Sequence, residues 1–505
     1  MPKLKPPKNG VTVRMYRQGH GDCFLLAFPR KGSATKPVYV LIDCGYKPGS
    51  PAFVHQRPIQ DTVDHIREST GGRLDLVILT HEHQDHLNGI WKKNNPYFED
   101  FEILEAWTAW TEDPADTDAN TLRNHHHDVL LGLIAARRRL ALAVGPQDTA
   151  LRRLDDLLTL EFGGEDEVVS EALLSAAADP AASINKQGLK LVKDKAEKNR
   201  GVSYLEPGDG PLPVSEASAV QAFILGPPRD PGLLSDEDPR GTEAFPDDDA
   251  HGFTFVGAAS AGPAGGSSPF TTKYAIPMDR AFSDDDPFYG DHYGSDSAGS
   301  SEDAGAETLD NVAWRRIEDE WLYSAEALAL TLNKGINNTS LVVAFELQDS
   351  KKVLFFAADA QRGSWVSWTG HTWKDGMRTV TTRDLLGRTV LYKVGHHGSH
   401  NATLAGTKDD DYPNLSWMAS GAASGEFTAM ITAVNEWALN KMKPPWRHPL
   451  PSIKLALETK AQGRVFQTDT DEPTKPAGVS DAAWNGFLER TVLDELFFDY
   501  TVMDE

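Results

Sequence analysis

The stretch His81-Glu82-His83-Gln84-Asp85-His86 concentrates imidazoles and a carboxylate directly after the apolar run Arg73–Thr80. In a tight loop, residues two apart can point into one space, so His81 and His83 could share one cation. Asp85 and His86, one turn further on, could take a second. Imidazole mixed with carboxylate suits Zn²⁺, with Mn²⁺ or Fe as alternatives where oxygen ligands are numerous. Two such cations remain under-coordinated by His81, His83, Asp85 and His86, so further ligands must come from distant parts of the chain.

The chain offers them in a repeated pattern, an apolar strand with His or Asp at its C-terminal end. Phe355-Phe356-Ala357-Ala358-Asp359 places a carboxylate where it could bridge both cations. Tyr392-Lys393-Val394-Gly395-His396-His397-Gly398-Ser399 places two histidines after another strand, and which of them would be the ligand stays open. Trp446-Arg447-His448-Pro449 offers one more, ahead of the apolar segment Ile453–Thr459. A water bridging two cations about 3.5–4 Å apart loses its proton near neutral pH and becomes a nucleophile. The cations also neutralise charge that develops on a phosphoryl or carbonyl oxygen. His396 or Lys393 could assist a leaving group, and with Asp85 they form the expected catalytic set. Asp43 is expected to hold the loops by accepting backbone hydrogen bonds, with Asn338 doing the same near the metal edge.

The elements that must position these groups are legible in the pattern. Val11–Tyr16, Cys23–Phe28 and Val38–Ile42 read as an opening antiparallel sheet, punctuated by Gly19-His20-Gly21-Asp22 and Asp43-Cys44-Gly45. From about 91 to 200 the text turns helical, clearest in Thr121–Val144 and Leu151–Leu160. Its Lys-rich end, 182–200, reads as a solvated helix. Strand text returns at Ala219–Leu225. Residues 229–310 are acidic and Gly/Ser/Pro-rich and read as long loops. A helix is expected near Trp314–Leu330. Strands are expected at Leu341–Leu347, Val353–Ala357 and Thr389–Val394, then a helix near Phe427–Met442 and a last strand at Gly463–Gln467.

These ordered motifs resemble the metallo-β-lactamase superfamily, and most of all the hydrolase domain of the bacterial competence DNA-uptake channel (ComEC-like). The resemblance rests on Gly19-His20-Gly21-Asp22-Cys23, Ile42-Asp43-Cys44-Gly45, the HxHxDH motif at His81–His86 and Ile224–Pro228. It continues through Asn337–Val342, Asp359-Ala360, Lys393–Ser399, His448-Pro449 and Val465–Asp469. It implies an α/β fold, the αββα sandwich of that superfamily, with two large insertions. Residues 1–90 would form its first half, 91–200 a mainly helical insertion, and 201–228 a return to the core sheet. The acidic insertion 229–310, a second half over 311–470 and a C-terminal extension over 471–505 would follow. The resemblance also implies that His81, His83 and His397 hold the first metal, and Asp85, His86 and His448 the second. Asp359 would lie between them, and His396 beside them as a substrate-binding or acid/base group. Ala358 departs from the usual Gly before the bridging Asp, and the insertion after HxHxDH is unusually long.

Bulk composition narrows the field. The 505 residues are 40% hydrophobic with a net charge of −24, a globular and acidic chain that disfavours indiscriminate binding to phosphate backbones. With two cysteines, Cys23 and Cys44, a Cys-based zinc site or disulfide scaffold is excluded by count, and both read as small buried hydrophobes. The polar start Met1–Gly10 carries no signal peptide and no run reaches bilayer length, so a cytoplasmic chain with no membrane partner is expected. Read alone, HxHxDH could be a surface loop, Asp359 a strand-end cap and His448 a structural histidine. His125-His126-His127 reads as an exposed helix start, and Arg137-Arg138-Arg139 as a solvated face.

The expectation is a hydrolase with two divalent metal ions, zinc first, that cleaves a phosphodiester substrate as a nuclease or phosphodiesterase. Hydrolysis of a lactone, thioester or amide is the alternative that the same metals could serve. A reading of another class is a binding or regulatory subunit whose acidic insertions contact a protein partner.

Overall fold

The computed structural model describes residues 3–50, 57–91, 96–143, 149–162, 183–246, 335–441 and 446–505. The chain divides into two compact units, one of Met1–His127, Asp156–Asp249 and Asn333–Glu505, the other of Asp128–Asp155 and Ala250–Leu332. In the second unit Leu140 packs on Leu151, and the Arg137 guanidinium donates to both oxygens of Asp155 at 2.8 and 3.1 Å.

The first unit is mixed α/β. Among the described residues its strands form an eight-stranded sheet, a seven-stranded sheet and two two-stranded ones. The larger runs in the order Thr491–Leu493, Phe497–Met503, Gly10–Tyr16, Cys23–Arg30, Ser33–Cys44, Leu76–Ile78, Ala106–Ala109, Val202–Leu205. It is antiparallel up to Ser33–Cys44 and parallel from there on. The smaller sheet runs Val465–Gln467, Thr428–Ile431, Thr389–Lys393, Val353–Phe356, Val342–Leu347, Val220–Gly226, Leu212–Pro213, with its first half parallel.

Strand alternation sorts side chains into layers. Phe24, Leu26 and Phe28 share one apolar cluster with Ala222, Ile224 and Phe356 of the other sheet, so the two sheets bury a common layer. Leu25 and Ala27 face the opposite way, toward the helices Ile59–Thr70 and Ile184–Glu197. Phe223 and Leu225 likewise face Trp365, Leu385 and Leu457 from the helices Arg362–Ser367, Thr382–Gly387 and Pro451–Lys460. Helix Ile184–Glu197 buries Leu189, Val192 and Ala196 while Lys190 stays outside, as its Lys-rich text implies.

Several segments differ from the sequence expectation. Phe427–Met442 splits into the strand Thr428–Ile431 and the helix Asn435–Lys441, because the short apolar run is wanted between two parallel neighbours. The apolar segment Ile453–Thr459, for which no element type was expected, lies in the helix Pro451–Lys460, where Pro451 suits the first turn and the pair Ile453 and Leu457 forms its buried face. Val465–Gln467 is not the last strand, since Phe497–Met503 pairs along the whole length of Gly10–Tyr16. Residues expected as an insertion, 91–200, also supply the sheet strand Ala106–Ala109. The expected helix at Trp314–Leu330 and most of the acidic insertion lie outside the described residues. Cys23 and Cys44 are free thiols, buried and directly opposite each other. No helix among the described residues is long and apolar enough to cross a membrane.

Candidate metal centre

The parallel halves of both sheets end on the same group of side chains, the position where α/β sheets generally collect ligands. Leu76–Ile78 leads to His81, Val353–Phe356 to Asp359, Thr389–Lys393 to His396 and His397, and Thr428–Ile431 to Thr432. After His83 the chain enters the short helix Gln84–Leu87, which brings Asp85 and His86 inward. Two glycines allow this. A Cβ on Gly45 would lie 2.3 Å from the Asp85 carbonyl carbon, and one on Gly21, at φ +148°, 2.5 Å from the Asp85 oxygen. The backbones of these two motifs therefore press directly on the ligand loop, and the Asp22 amide donates to the Asp85 carbonyl at 2.9 Å.

His86 and His397 are each fixed from behind. Asp43 accepts from the Thr80 amide at 2.9 Å and the Thr80 hydroxyl at 2.6 Å, and its Oδ2 lies 2.7 Å from Nδ1 of His86. That contact puts the His86 proton on Nδ1 and turns the Nε2 lone pair inward, where it meets Asp359 Oδ2 at 3.2 Å. For His397 the support has two links. The Thr432 hydroxyl donates to Asp22 at 2.6 Å and so accepts from His397 Nδ1 at 3.0 Å. The His397 Nε2 lone pair then faces Asp85 Oδ2 at 3.2 Å and Asp359 Oδ2 at 3.5 Å.

Acceptors thus face acceptors. In such a space only a cation or a proton relieves the repulsion, and the buried Asp85 Oδ1, His86 Nε2 and Asp359 Oδ1 have no hydrogen-bond partner. Burial would lower the His86 pKa, yet Asp359, Asp22 and Asp43 hold it well above the ordinary 6.5. The same field holds His397 up against its burial. Asp85 and Asp359 lie well below the usual carboxylate range despite burial, through the neighbouring imidazoles. Among the four buried carboxylates Asp22, Asp43, Asp85 and Asp359, the buried ammonium of Lys393 pairs with Asp22 and lies 3.5 Å from Asp359. Asp85, His86, Asp359 and His397 could hold a metal ion, with one ligand atom from each within 4.8 Å of the others.

His81 and His83 stand beside this group. His81 Nε2 is 3.0 Å from His83 Nδ1 and 3.9 Å from Asp359 Oδ2, while the hydroxyls of Thr80 and Ser340 lie 3.2 and 3.3 Å from His81 Nδ1. On its far side His83 Nε2 is 3.5 Å from Glu161, whose other oxygen is 3.3 Å from His126 Nε2. Burial opposes ionisation of Glu161, yet His126 and His83 hold its pKa down to about 2. Asn185 donates to the carbonyls of both Glu82 and Glu161, at 2.8 and 3.2 Å, and ties Glu161 to the His81–His86 loop. His126 is therefore not part of a fully exposed helix start.

The remaining expected residues take other places. Lys393 is wholly buried, ion-paired to Asp22 and 3.5 Å from Asp359, and donates to the Ala358 carbonyl at 2.9 Å. Its ammonium is spent on these inward contacts, so it holds the carboxylates from inside the fold. Consecutive His396 and His397 carry positive φ of 38° and 53°, which turns their rings to different partners. His397 faces the carboxylates. His396 lies between Asn401 and Asn337, each at 3.3 Å, and its burial lowers its pKa to about 4. Asn338 holds loops as expected, donating to Leu234 and Asp236 carbonyls and accepting from the Gln361 amide. His448 stands apart from the four-residue group, with its Nδ1 3.3 Å from His20 Nε2. The resemblance pairs His397 with His81 and His83, whereas here its Nε2 faces Asp85.

Sequence reading gave no role to Asp22, Thr432, Glu161 or His20. Asp22 and His20 stood inside a quoted motif, but nothing in a lone Thr or Glu signals a partner far away in the chain. Compared with protein-family models and with curated proteins, the chain matches none of them.

Proposed function

We propose that this protein is a metal-dependent hydrolase, on a metallo-β-lactamase-type αββα scaffold, that cleaves phosphodiester bonds as a nuclease or phosphodiesterase. One observation carries the reading. The Nε2 lone pairs of His86 and His397 point at the carboxylates of Asp85 and Asp359 in a buried space, each imidazole having its proton held on the far nitrogen. Such a donor set fits divalent cations, zinc first by its imidazole and carboxylate composition.

Asp85, His86, His397 and Asp359 would hold one cation, and His81 and His83 with Asp359 the other. When bound, the pair would supply a water ionised near neutral pH and neutralise charge on the phosphoryl oxygens. The chain's own groups do the rest. Asp43 and the Asp22–Thr432 link keep the two imidazoles in the ligating tautomer. Lys393 neutralises Asp22 and steadies Asp359 from below. Half-buried His396, pinned between two asparagine side chains, faces the same region and is suited to contact substrate as a neutral ring. The preference for a phosphodiester over a lactone, thioester or amide is supported by the ComEC-like motif order.

The test is metal analysis combined with hydrolysis of single-stranded DNA, RNA, bis(p-nitrophenyl) phosphate and a lactone. The expected result is two metals per chain, turnover of a phosphodiester, and loss of roughly 1,000-fold or more in Asp85→Ala. Intact phosphodiesters with a turned-over lactone would move the reading to the alternative bond. A chain with no metal and no turnover would leave a binding or regulatory subunit.

A further inference from the structure

We propose that His448 is a fixed N–H donor to the substrate at the rim of the metal centre, and that His20 is the positioning residue that sets its tautomer. The inference rests on the reading above but changes the expected part of His448, from metal ligand to substrate contact.

The chain of donors begins with a group that has no choice. The Val434 amide can only donate, and it donates to Nδ1 of His20 at 3.2 Å. Nδ1 of His20 must therefore carry a lone pair, and the ring proton must sit on Nε2. That Nε2 is 3.3 Å from Nδ1 of His448. The two ring planes lie 18° apart with centroids 5.4 Å apart, so the rings are nearly parallel and their facing nitrogens are within hydrogen-bond reach. His448 Nδ1 must accept, which leaves its proton on Nε2. A metal ligand needs a lone pair there. For His448 to ligate through Nε2, its Nδ1–H would have to confront the Nε2–H of His20.

The surroundings hold this order in place. His20 is fully buried against Trp437 and His397, with ring centroids 5.1 and 4.6 Å away. Trp446 covers His448 at 5.5 Å and packs on Trp437 at 5.7 Å. Half-buried His448 lies 5.5 Å from the His396 ring and 6.3 Å from that of His397, so its free edge borders the space that a substrate of the metal centre must enter. A neutral N–H donor beside two cations suits an anionic oxygen of the substrate, such as a non-bridging phosphoryl oxygen, and adds no charge to repel the metals.

Two measurements test this on the full chain. Long-range ¹H–¹⁵N spectra of ¹⁵N-histidine protein, with His448→Gln to assign the ring, should show His448 protonated at Nε2 and bare at Nδ1. Metal analysis of His448→Ala should return the wild-type metal count, while kcat/KM on bis(p-nitrophenyl) phosphate falls by roughly 100-fold. His448→Gln, whose amide N–H reaches near the lost Nε2, should recover part of that loss, and His20→Phe should lower kcat/KM with the metal count unchanged. One metal fewer in His448→Ala, a proton on His448 Nδ1, or undiminished kcat/KM in that variant would each overturn the inference. If the wild-type protein holds no metal, the function proposed above fails, and the tautomer spectrum still decides His448 on its own.

Discussion

Two groups of histidines meet at the same site and are prepared in opposite ways. His86 and His397 are backed by acceptors, Asp43 directly and Asp22 through the Thr432 hydroxyl, so a proton is held on Nδ1 and Nε2 is turned to the carboxylates of Asp359 and Asp85. His20 and His448 are backed by a donor, the Val434 amide, so the proton is passed forward to the outer nitrogen. The side chain is the same in all four. What differs is whether the group behind the ring is a carboxylate or a backbone N–H, and under the proposed function that difference would separate a cation ligand from a hydrogen-bond donor. Burial near charge lets the same contrast appear in proton affinity. His86 is drawn well above 6.5 by its carboxylates, whereas burial, with His20 next in weight, pushes His448 well below it.

The sharpest way to break the comparison is to remove the acceptor behind His86. Asp43→Ala should lower metal affinity by about 10- to 100-fold, read by competition with a chelating dye, because His86 is then free to protonate Nε2 and swing. Unchanged affinity would mean that Asp43 serves only the Thr80 backbone. A smaller effect is expected for Thr432→Val, which keeps the shape but cuts the link between Asp22 and His397. About 10-fold weaker binding should follow, and Thr432→Ser should restore it, since the hydroxyl rather than the methyl makes both contacts. Failure of the serine variant to recover affinity would assign the loss to packing.

The smallest effect concerns a histidine outside the site. His65 contacts the Tyr16 hydroxyl at 3.1 Å, and burial, with Arg14 nearby, outweighs the opposing charges of Asp494 and Glu68 and lowers its pKa to about 4. The unfolded chain protonates this residue near 6.5, so between that pH and about 4 the unfolded state binds more protons than the folded one. Stability should therefore be full above pH 6.5 and decline as pH falls toward 4, and His65→Gln should flatten this part of the profile in denaturant titrations. A profile of unchanged slope would show that other groups set the acid limit.

Much of the site was readable because the residues that could hold a metal cluster in short motifs at strand ends. His81, His83, Asp85 and His86 lie within six residues, and Asp359 and His397 each follow an apolar run that the structure confirms as a strand. The split between His396 and His397 was not readable, since it depends on two positive φ angles that turn neighbouring rings apart. Nor was the inward, spent position of Lys393, which follows from the pleat of a strand buried on both faces. Thr428–Ile431 read as helix because four residues are too few to show a period, and the sheet on either side of them supplies the missing information.

By itself the sequence determined the α/β class and the chemical types and positions of the residues that could hold a metal, because apolar periodicity and motif spacing are local properties. The tertiary structure alone decided which nitrogen of each histidine faces the centre. A tautomer is chosen by the group on the far side of the ring, and for His86, His397 and His20 that group arrives from another strand or loop, up to 414 residues away in the chain.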